Sequence, residues 1–437
     1  MKTRPGESTG PGPAITGPRT SEPGAAQRQG GADGDWGRRS QLRDGLLYCL
    51  KVFLAVRIGL SILALLAVAL LPDLTVLGPA FRSAHAIPGP VDVPGWPAHF
   101  ATHGWTNLFT AWERFDGLWY LRIAAHGYRN GDGSAAFFPL YPLLVAAVSF
   151  VIGRHPFAAS LIVSNVSFLG ALMMLYVLGR NELSEPLARR AVAYAAVFPA
   201  AVFFLAPYSE SLFLVLALVA FWAARQGRWP MAGAAGLLAA LTRNVGLVIV
   251  LPLAVEAVQQ ALAVHPRRWP VRPLLWSLAP AAGTFSYLLY WRLFAGQWLA
   301  PLHQQAIWER HLQDPVLTLA KGTHEAFRYI GFYPGGYHLL DWLVALPVLV
   351  AAGYAAVSFR PAYGVYAWAG ILVPLSFIFA GRPLMSFPRF ALPLFPIYWA
   401  GARWTSTGRG RHEIVLATSA ALLGVMTVLF AAWYYVF

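Results

Sequence analysis

Residues 231–262 read MAGAAGLLAALTRNVGLVIVLPLAVEAVQQAL. The run is apolar enough to enter a bilayer, yet Arg243 and Asn244 sit near its middle, and an arginine at such depth is costly unless it is paired or bound to an anion. The pair therefore splits the run into two short legs, one crossing outward over 231–242 and one returning over 245–262. Apolar runs of about 15 to 25 residues, each ended by Arg, Pro or Gly clusters, recur along the whole chain. Of its 437 residues 57% are hydrophobic and 12% charged, whereas soluble domains carry about a quarter charged residues. A soluble multidomain protein is excluded, and the length counts membrane crossings.

The 33 Lys and Arg against 19 Asp and Glu give a net charge of +14. These cations fall in short clusters between apolar runs, where they set orientation, so the excess speaks for topology and against nucleic acid. Residues 1–45 are Gly- and Pro-rich with few large apolar side chains and are predicted to be a disordered cytoplasmic tail. Arg38, Arg39, Arg43 and Lys51 precede the apolar run 52–71, in which Arg57 is expected to snorkel to the interface. The run reads as an uncleaved anchor, although Ala67-Val68-Ala69 mimics a signal-peptide cleavage site.

Three basic clusters then fix the register: Arg180, Arg189 and Arg190; Arg225 and Arg228; Arg267, Arg268 and Arg272. Placing them all inside predicts further spans over 157–179, 190–205, 211–224, 231–242, 245–262, 273–293, 339–357, 363–380, 390–403 and 413–436. The expected fold is an all-α polytopic bundle of about eleven membrane helices over 46–437. Its two large extracytoplasmic loops are 72–135 and 294–337. The Pro-rich run at 136–152 is expected to dip into the membrane or lie at its outer face.

On this topology one outer surface gathers Glu113, Arg114, Asp116, Arg122, His126, Tyr128, the 137–142 segment, Tyr208-Ser209-Glu210, Arg243-Asn244 and Arg382 to Arg389. Asp116 lies among Trp112, Trp119, Tyr120 and Tyr128, rings that suit either sugar faces or a membrane interface. An acid in that setting is a candidate general base, with a solvated ion pair to Arg114 or Arg122 as the plain alternative. Ser209 beside Glu210 reads equally as a helix cap. Arg382 and Arg389 form an outer cationic pair. His303, His311, His324 and His338 lack the i, i+4 spacing of a metal helix. Neither a phosphate-cradling glycine loop nor a Gly-x-Ser-x-Gly elbow is present, and Cys49 is the single cysteine, which argues against an ATPase, a serine hydrolase and any disulfide framework.

These residues resemble the PIG-V type of mannosyltransferase, a GT-C glycosyltransferase family. Arg114-Phe115-Asp116 with Tyr120-Leu121, then Ile123-Ala124 and His126-Gly127-Tyr128, is similar to its first block, which continues into Ala136-Phe137-Phe138-Pro139-Leu140-Tyr141-Pro142. Phe198-Pro199-Ala200 through Tyr208-Ser209-Glu210-Ser211 resembles the second, and Arg243-Asn244-Val245-Gly246 the third. Phe115 departs from the tryptophan usual before the acid, which keeps an aromatic wall.

The resemblance implies transfer of a mannosyl or other hexosyl residue from a polyprenyl-phosphate donor to a glycolipid or glycan acceptor. No cofactor is expected, and no residue set in the sequence demands a metal. The resemblance puts the catalytic role on Asp116. Chemistry at a sugar phosphate then predicts Asp116 as general base in an inverting displacement, Arg243 and Arg389 as donor phosphate ligands, and Arg114, Tyr120, His126, Tyr128, Tyr208, Glu210 and Asn244 as substrate contacts, with Glu210 in reserve for the catalytic role. The rival is a secondary transporter or lipid flippase, which would need ionisable positions at the bilayer midplane. Apart from Arg243-Asn244, the predicted spans carry almost none.

Overall fold

The computed structural model describes residues 25–71, 104–263, 269–304, 309–332 and 335–434, with side chains from Ser40 onward. Much of the expected tail (1–24), part of the first loop (72–103), and Arg267 and Arg268 lie outside the described residues. The chain divides into two compact units, Met1–Asp44 and Gly45–Phe437, and the first is helical from Ala25.

The described residues form mainly helices: α1 Ala25–Leu70, α2 Asp116–His126, α3 Leu140–Val151, α4 Pro156–Glu182, α5 Glu185–Ala196, α6 Glu210–Arg225, α7 Trp229–Thr242, α8 Val250–Leu262, α9 Ala279–Ala295, α10 Pro315–Arg328, α11 Gly335–Ser358, α12 Pro361–Ser376, α13 Phe387–Ala391, α14 Pro396–Thr405 and α15 Arg411–Ala431. Five helical stretches among them are long and apolar enough to cross a membrane: Ser40–Leu70, Pro156–Glu182, Asn244–Leu262, Gly335–Ser358 and Arg411–Ala431. The remaining predicted spans form shorter or broken helices. The Pro-rich run gives the 12-residue α3, about 18 Å long against a hydrocarbon core of about 30 Å.

One reading needs correction. The all-α expectation omitted a small sheet, β1 Arg310–Leu312 paired antiparallel with β2 Phe377–Phe379 in the register Arg310↔Phe379. Three-residue strands leave no period for a sequence to display, yet their backbone groups still require partners. The Arg57 guanidinium lies 4.5 Å from the ring centre of Trp112, a buried side chain, in cation–π contact.

Close helix packing follows from small residues where chains cross. A Cβ on Gly283 of α9 would stand 2.6 Å from the Leu237 carbonyl of α7, so these backbones touch. The break foreseen at Arg243 is real. Arg243 is extended, with φ −152° and ψ 151°, and a 3-10 turn over Asn244–Ile249 leads into α8. A Cβ on Gly246 would come within 2.4 Å of Ala240 Cα, so only glycine permits this fold-back, which the Gly246 amide closes by donating to the Arg243 carbonyl at 2.9 Å.

Candidate active site

Four charged residues from four separated stretches meet at one place. Asp116 opens α2, immediately after Phe115, whose φ of 51° and ψ of −124° is a strained conformation for a residue with a side chain. The Phe115 ring is held by Phe430 at 5.8 Å and Trp433 at 5.1 Å, so the C-terminal segment fixes the turn that presents the acid. Glu210, fully buried, opens α6, where the helix dipole favours a carboxylate. Arg243 comes from the α7–α8 break. Arg389 comes from α13, started at Ser386 in the left-handed region with φ 67°.

Arg389 Nη1 donates to Asp116 Oδ2 and its Nε to Glu210 Oε1. The same Glu210 oxygen pairs with Arg243 Nη1. Two carboxylates and two guanidiniums thus compensate each other in a setting from which water is largely excluded, where unpaired charge would be expensive. The guanidinium of Arg389 lies over the Tyr208 ring at 4.7 Å and that of Arg243 over Phe390 at 5.2 Å. Tyr120 OH and Ser209 Oγ share a hydrogen bond of 2.8 Å. Burial, with Glu210 nearby adding to it and the two arginines opposing, pushes the Tyr120 phenol up to about 12, so its proton stays in place at neutral pH. Ser209 makes no side-chain cap bond to α6, which removes the capping explanation for it.

This cluster opens into a cavity of about 210 Å³, lined among others by Asp116, Tyr120, Asn244, Arg243, Arg389 and Arg310. Phe137, Phe138, Phe377 and Phe390 add aromatic wall. A second, more apolar cavity of about 450 Å³ is bounded by Ile123, Tyr128, Pro139, Pro142, Leu143 and Tyr290. It lies along α2 and α3.

The other residues singled out in the sequence stand elsewhere. Arg114 lies behind the cavity: it donates to the carbonyls of Ala431 (3.0 Å) and Thr110 (2.7 Å), tying the first loop to α15. Tyr208 supports it from below, its OH donating to the Arg114 carbonyl at 3.2 Å. His126 is exposed at the end of α2. Tyr128 donates to the Phe137 carbonyl at 2.7 Å and borders the second cavity. Trp112 and Trp119 are core residues, Trp119 stacking on Phe137 at 5.6 Å, so neither faces the site. Arg122 pairs with Asp132, and Arg382 with the buried Asp341 at 2.5 Å. Among the described residues no three His, Cys, Asp or Glu side chains gather as metal ligands.

Arg310 was not foreseen, nor was Asp341 as the partner of Arg382. Both arginine positions depend on chain segments that meet only in three dimensions. The one available signal for Arg310 was its place in the second long loop, where attention fell on the histidines.

Comparison with known proteins finds distant similarities. No curated protein matches the chain. Among solved structures, ArnT from Cupriavidus metallidurans bound to undecaprenyl phosphate is 14% identical, with 75% of this chain and 72% of that chain covered and a TM-score of 0.41. The oligosaccharyltransferase of Archaeoglobus fulgidus in complex with Zn and sulfate is 13% identical, with coverages of 75% and 49% and a TM-score of 0.37. The same archaeal enzyme, AglB, in complex with an inhibitory peptide and a dolichol-phosphate gives 13% identity, 88% and 56% coverage and a TM-score of 0.37. The likeness is loose at these scores, and the chain spans about half the length of the oligosaccharyltransferases it matches. Residues 60–264, the stretch that carries Asp116, Glu210 and Arg243, match the family described as Mannosyltransferase (PIG-V).

Proposed function

We propose that this protein is a multi-pass membrane mannosyltransferase that moves a mannosyl residue from a polyprenyl-phosphate donor to a glycolipid or glycan acceptor on the extracytoplasmic face. The observation that carries the proposal is the convergence of Asp116, Arg243 and Arg389 on one cavity, with the buried Glu210 paired to both arginines, in a chain whose residues 60–264 match the PIG-V family. The positive-inside pattern supports the extracytoplasmic placement and a cytoplasmic N-terminus.

A sugar phosphodiester brings its own stable leaving group, so one base suffices. Asp116 takes the proton of the acceptor hydroxyl as that oxygen bonds to the anomeric carbon from the face opposite the phosphate. The bond from the anomeric carbon to the phosphate oxygen breaks, its electron pair stays on the departing polyprenyl phosphate, and the configuration inverts through an oxocarbenium-like transition state. Arg243 and Arg389 neutralise the charge that builds on that phosphate.

In the resting site Asp116 is engaged by Arg389. The incoming phosphate offers Arg389 another anion, and the carboxylate is released to act as base. Glu210 keeps the two arginines in place. The second cavity, with its apolar wall beside α2 and α3, suits an isoprenoid tail.

The test is transfer of labelled mannose from polyprenyl-phosphate mannose into glycolipid or glycan by membranes carrying the intact chain, against Asp116→Asn. Expected is a loss of about 10²- to 10⁴-fold at equal protein level, the usual weight of a general base. Equal transfer in both removes Asp116 as the base, and no transfer in wild type removes the reading altogether.

A further inference from the structure

We propose that Asp341 is a positioning residue for the transfer reaction: by gripping Arg382 it sets the turn that presents Arg389 to the cavity. The proposal rests on the mannosyl-transfer reading above. Asp341 is fully buried near the start of α11. Arg382 Nε donates to its Oδ2 at 2.5 Å and Arg382 Nη2 to its Oδ1 at 2.8 Å, a forked arrangement that fixes an arginine in direction as well as in place. The guanidinium also lies 5.1 Å from the ring centre of Tyr337, earlier on the same helix. Helix α11 is long and apolar enough to cross a membrane, and a carboxylate inside such a helix is costly. Apolar side chains of similar volume often serve stability as well as a buried ion pair or better. Stability is therefore a poor reason for this pair, and its geometry supplies another.

Arg382 lies on the short link between β2 and α13. Its amide donates to the Phe379 carbonyl at 3.1 Å, and its carbonyl accepts from the Met385 amide at 2.9 Å. Met385, Ser386 and Arg389, which follow, all line the cavity. Ser386 starts α13 with φ 67°, a conformation that a residue with a side chain keeps only where its surroundings over-determine it. Arg310 Nη2 donates to the Ser386 hydroxyl at 2.7 Å, and the Asp341–Arg382 pair anchors the chain just before it. The turn is thus fixed to α11 on one side and to β1 on the other. Arg389, which it presents, is the cation that bonds both Asp116 and Glu210. A misplacement of about 1 Å at such a group can cost about 10²-fold in rate.

The experiment measures kcat and KM for polyprenyl-phosphate mannose, together with thermal unfolding, on the full-length protein reconstituted in lipid. Wild type is compared with the double variant Asp341→Leu/Arg382→Met, with Arg389→Lys, and with all three changes combined. The double variant removes the grip without stranding a buried charge, so it should unfold near the wild-type temperature. Its kcat is expected to fall about tenfold or more, with KM changed less. In the Arg389→Lys background the same double change should lower kcat by less than about twofold further, because the group being positioned is already altered. A double-variant kcat within about threefold of wild type overturns the inference. So does a loss that multiplies with that of Arg389→Lys, since the pair and Arg389 would then act independently. If the double variant does not fold, Arg382→Lys decides in its place: it keeps both charges and loses the fork, and a kcat equal to wild type overturns the inference while a several-fold fall supports it. Inactive wild type removes the mannosyl-transfer reading and this inference with it, whereas active wild type beside an unaffected double variant removes this inference alone.

Discussion

Helix α6 carries a charge cluster at each end, and the two have the same composition. At its start Glu210 joins Arg243, Arg389 and, through Arg389, Asp116. At its end Arg225 joins Glu182 at 2.6 Å and Glu256 at 2.9 Å, and Glu256 also faces Arg360 at 3.5 Å. About 22 Å of helix separates them. Each has two carboxylates and two arginines, so charge alone does not distinguish a site from a clamp.

What distinguishes them is what lies beside the charges. The first cluster opens into a cavity with a further cation, aromatic walls and a strained turn at Phe115. In the second, Gln260 adds a bond to Glu256 at 2.8 Å and another to the Ala224 carbonyl at 2.8 Å, and Arg360, 38% exposed, faces outward. On the proposed mechanism one end exchanges partners, whereas the other binds four helices together. An ion-pair cluster becomes a site only where an incoming anion can replace one of its members.

The comparison can be broken first at Asp116. If the donor phosphate and the Asp116 carboxylate compete for Arg389, Asp116→Asn should lower transfer by about 10²- to 10⁴-fold while binding polyprenyl-phosphate mannose at least as tightly as wild type, measured by direct titration. Weaker binding by this variant would mean that Asp116 holds substrate, and the exchange picture would fail.

A second break lies at the other end of α6. Removing the buried Glu256 carboxylate with Glu256→Gln leaves Arg360 and part of Arg225 uncompensated, which should cost about 2 to 3 kcal/mol of stability given the partial exposure of both arginines. Thermal unfolding in detergent measures this, with KM for the donor unchanged in the protein that remains folded. A shifted KM would show that the two ends are coupled.

A third break concerns Glu113, a buried acid next to Arg114 in the chain. Burial pushes its carboxyl up to about 7 from 4.5, with Arg114 opposing. The unfolded chain therefore ionises there before the folded one does, and this group's contribution to stability falls as pH rises from about 4.5 to about 7, then levels off. Glu113→Gln mimics the protonated form. It should match wild type near pH 4 and exceed it by about 3 kcal/mol above pH 7. Parallel stability curves for the two proteins would refute this.

Much of the site was legible before the fold. Asp116, Glu210, Arg243 and Arg389 stand out because charged residues at the ends of apolar runs have few places to go, and topology gathers those ends on one side. The break at Arg243 was legible for the same reason. Arg114 misleads because it belongs to the same block as Asp116, yet an offset of two residues across a turn sends its side chain to the carbonyls of Thr110 and Ala431. Trp112 and Trp119 mislead because an aromatic ring reads alike whether it packs in a core or faces a sugar.

The sequence by itself determined where the chain enters an apolar phase, where it must break, and which acids and arginines are stranded near those breaks, since hydropathy and charge cost are local quantities. Only the tertiary structure decided that one oxygen of Glu210 is shared by Arg243 and Arg389, that Asp116 rather than Arg114 or His126 faces the cavity, and that a three-residue strand carries Arg310 to the same wall. Those outcomes depend on contacts between residues far apart in the chain, and no local pattern records which distant partner a buried charge will find.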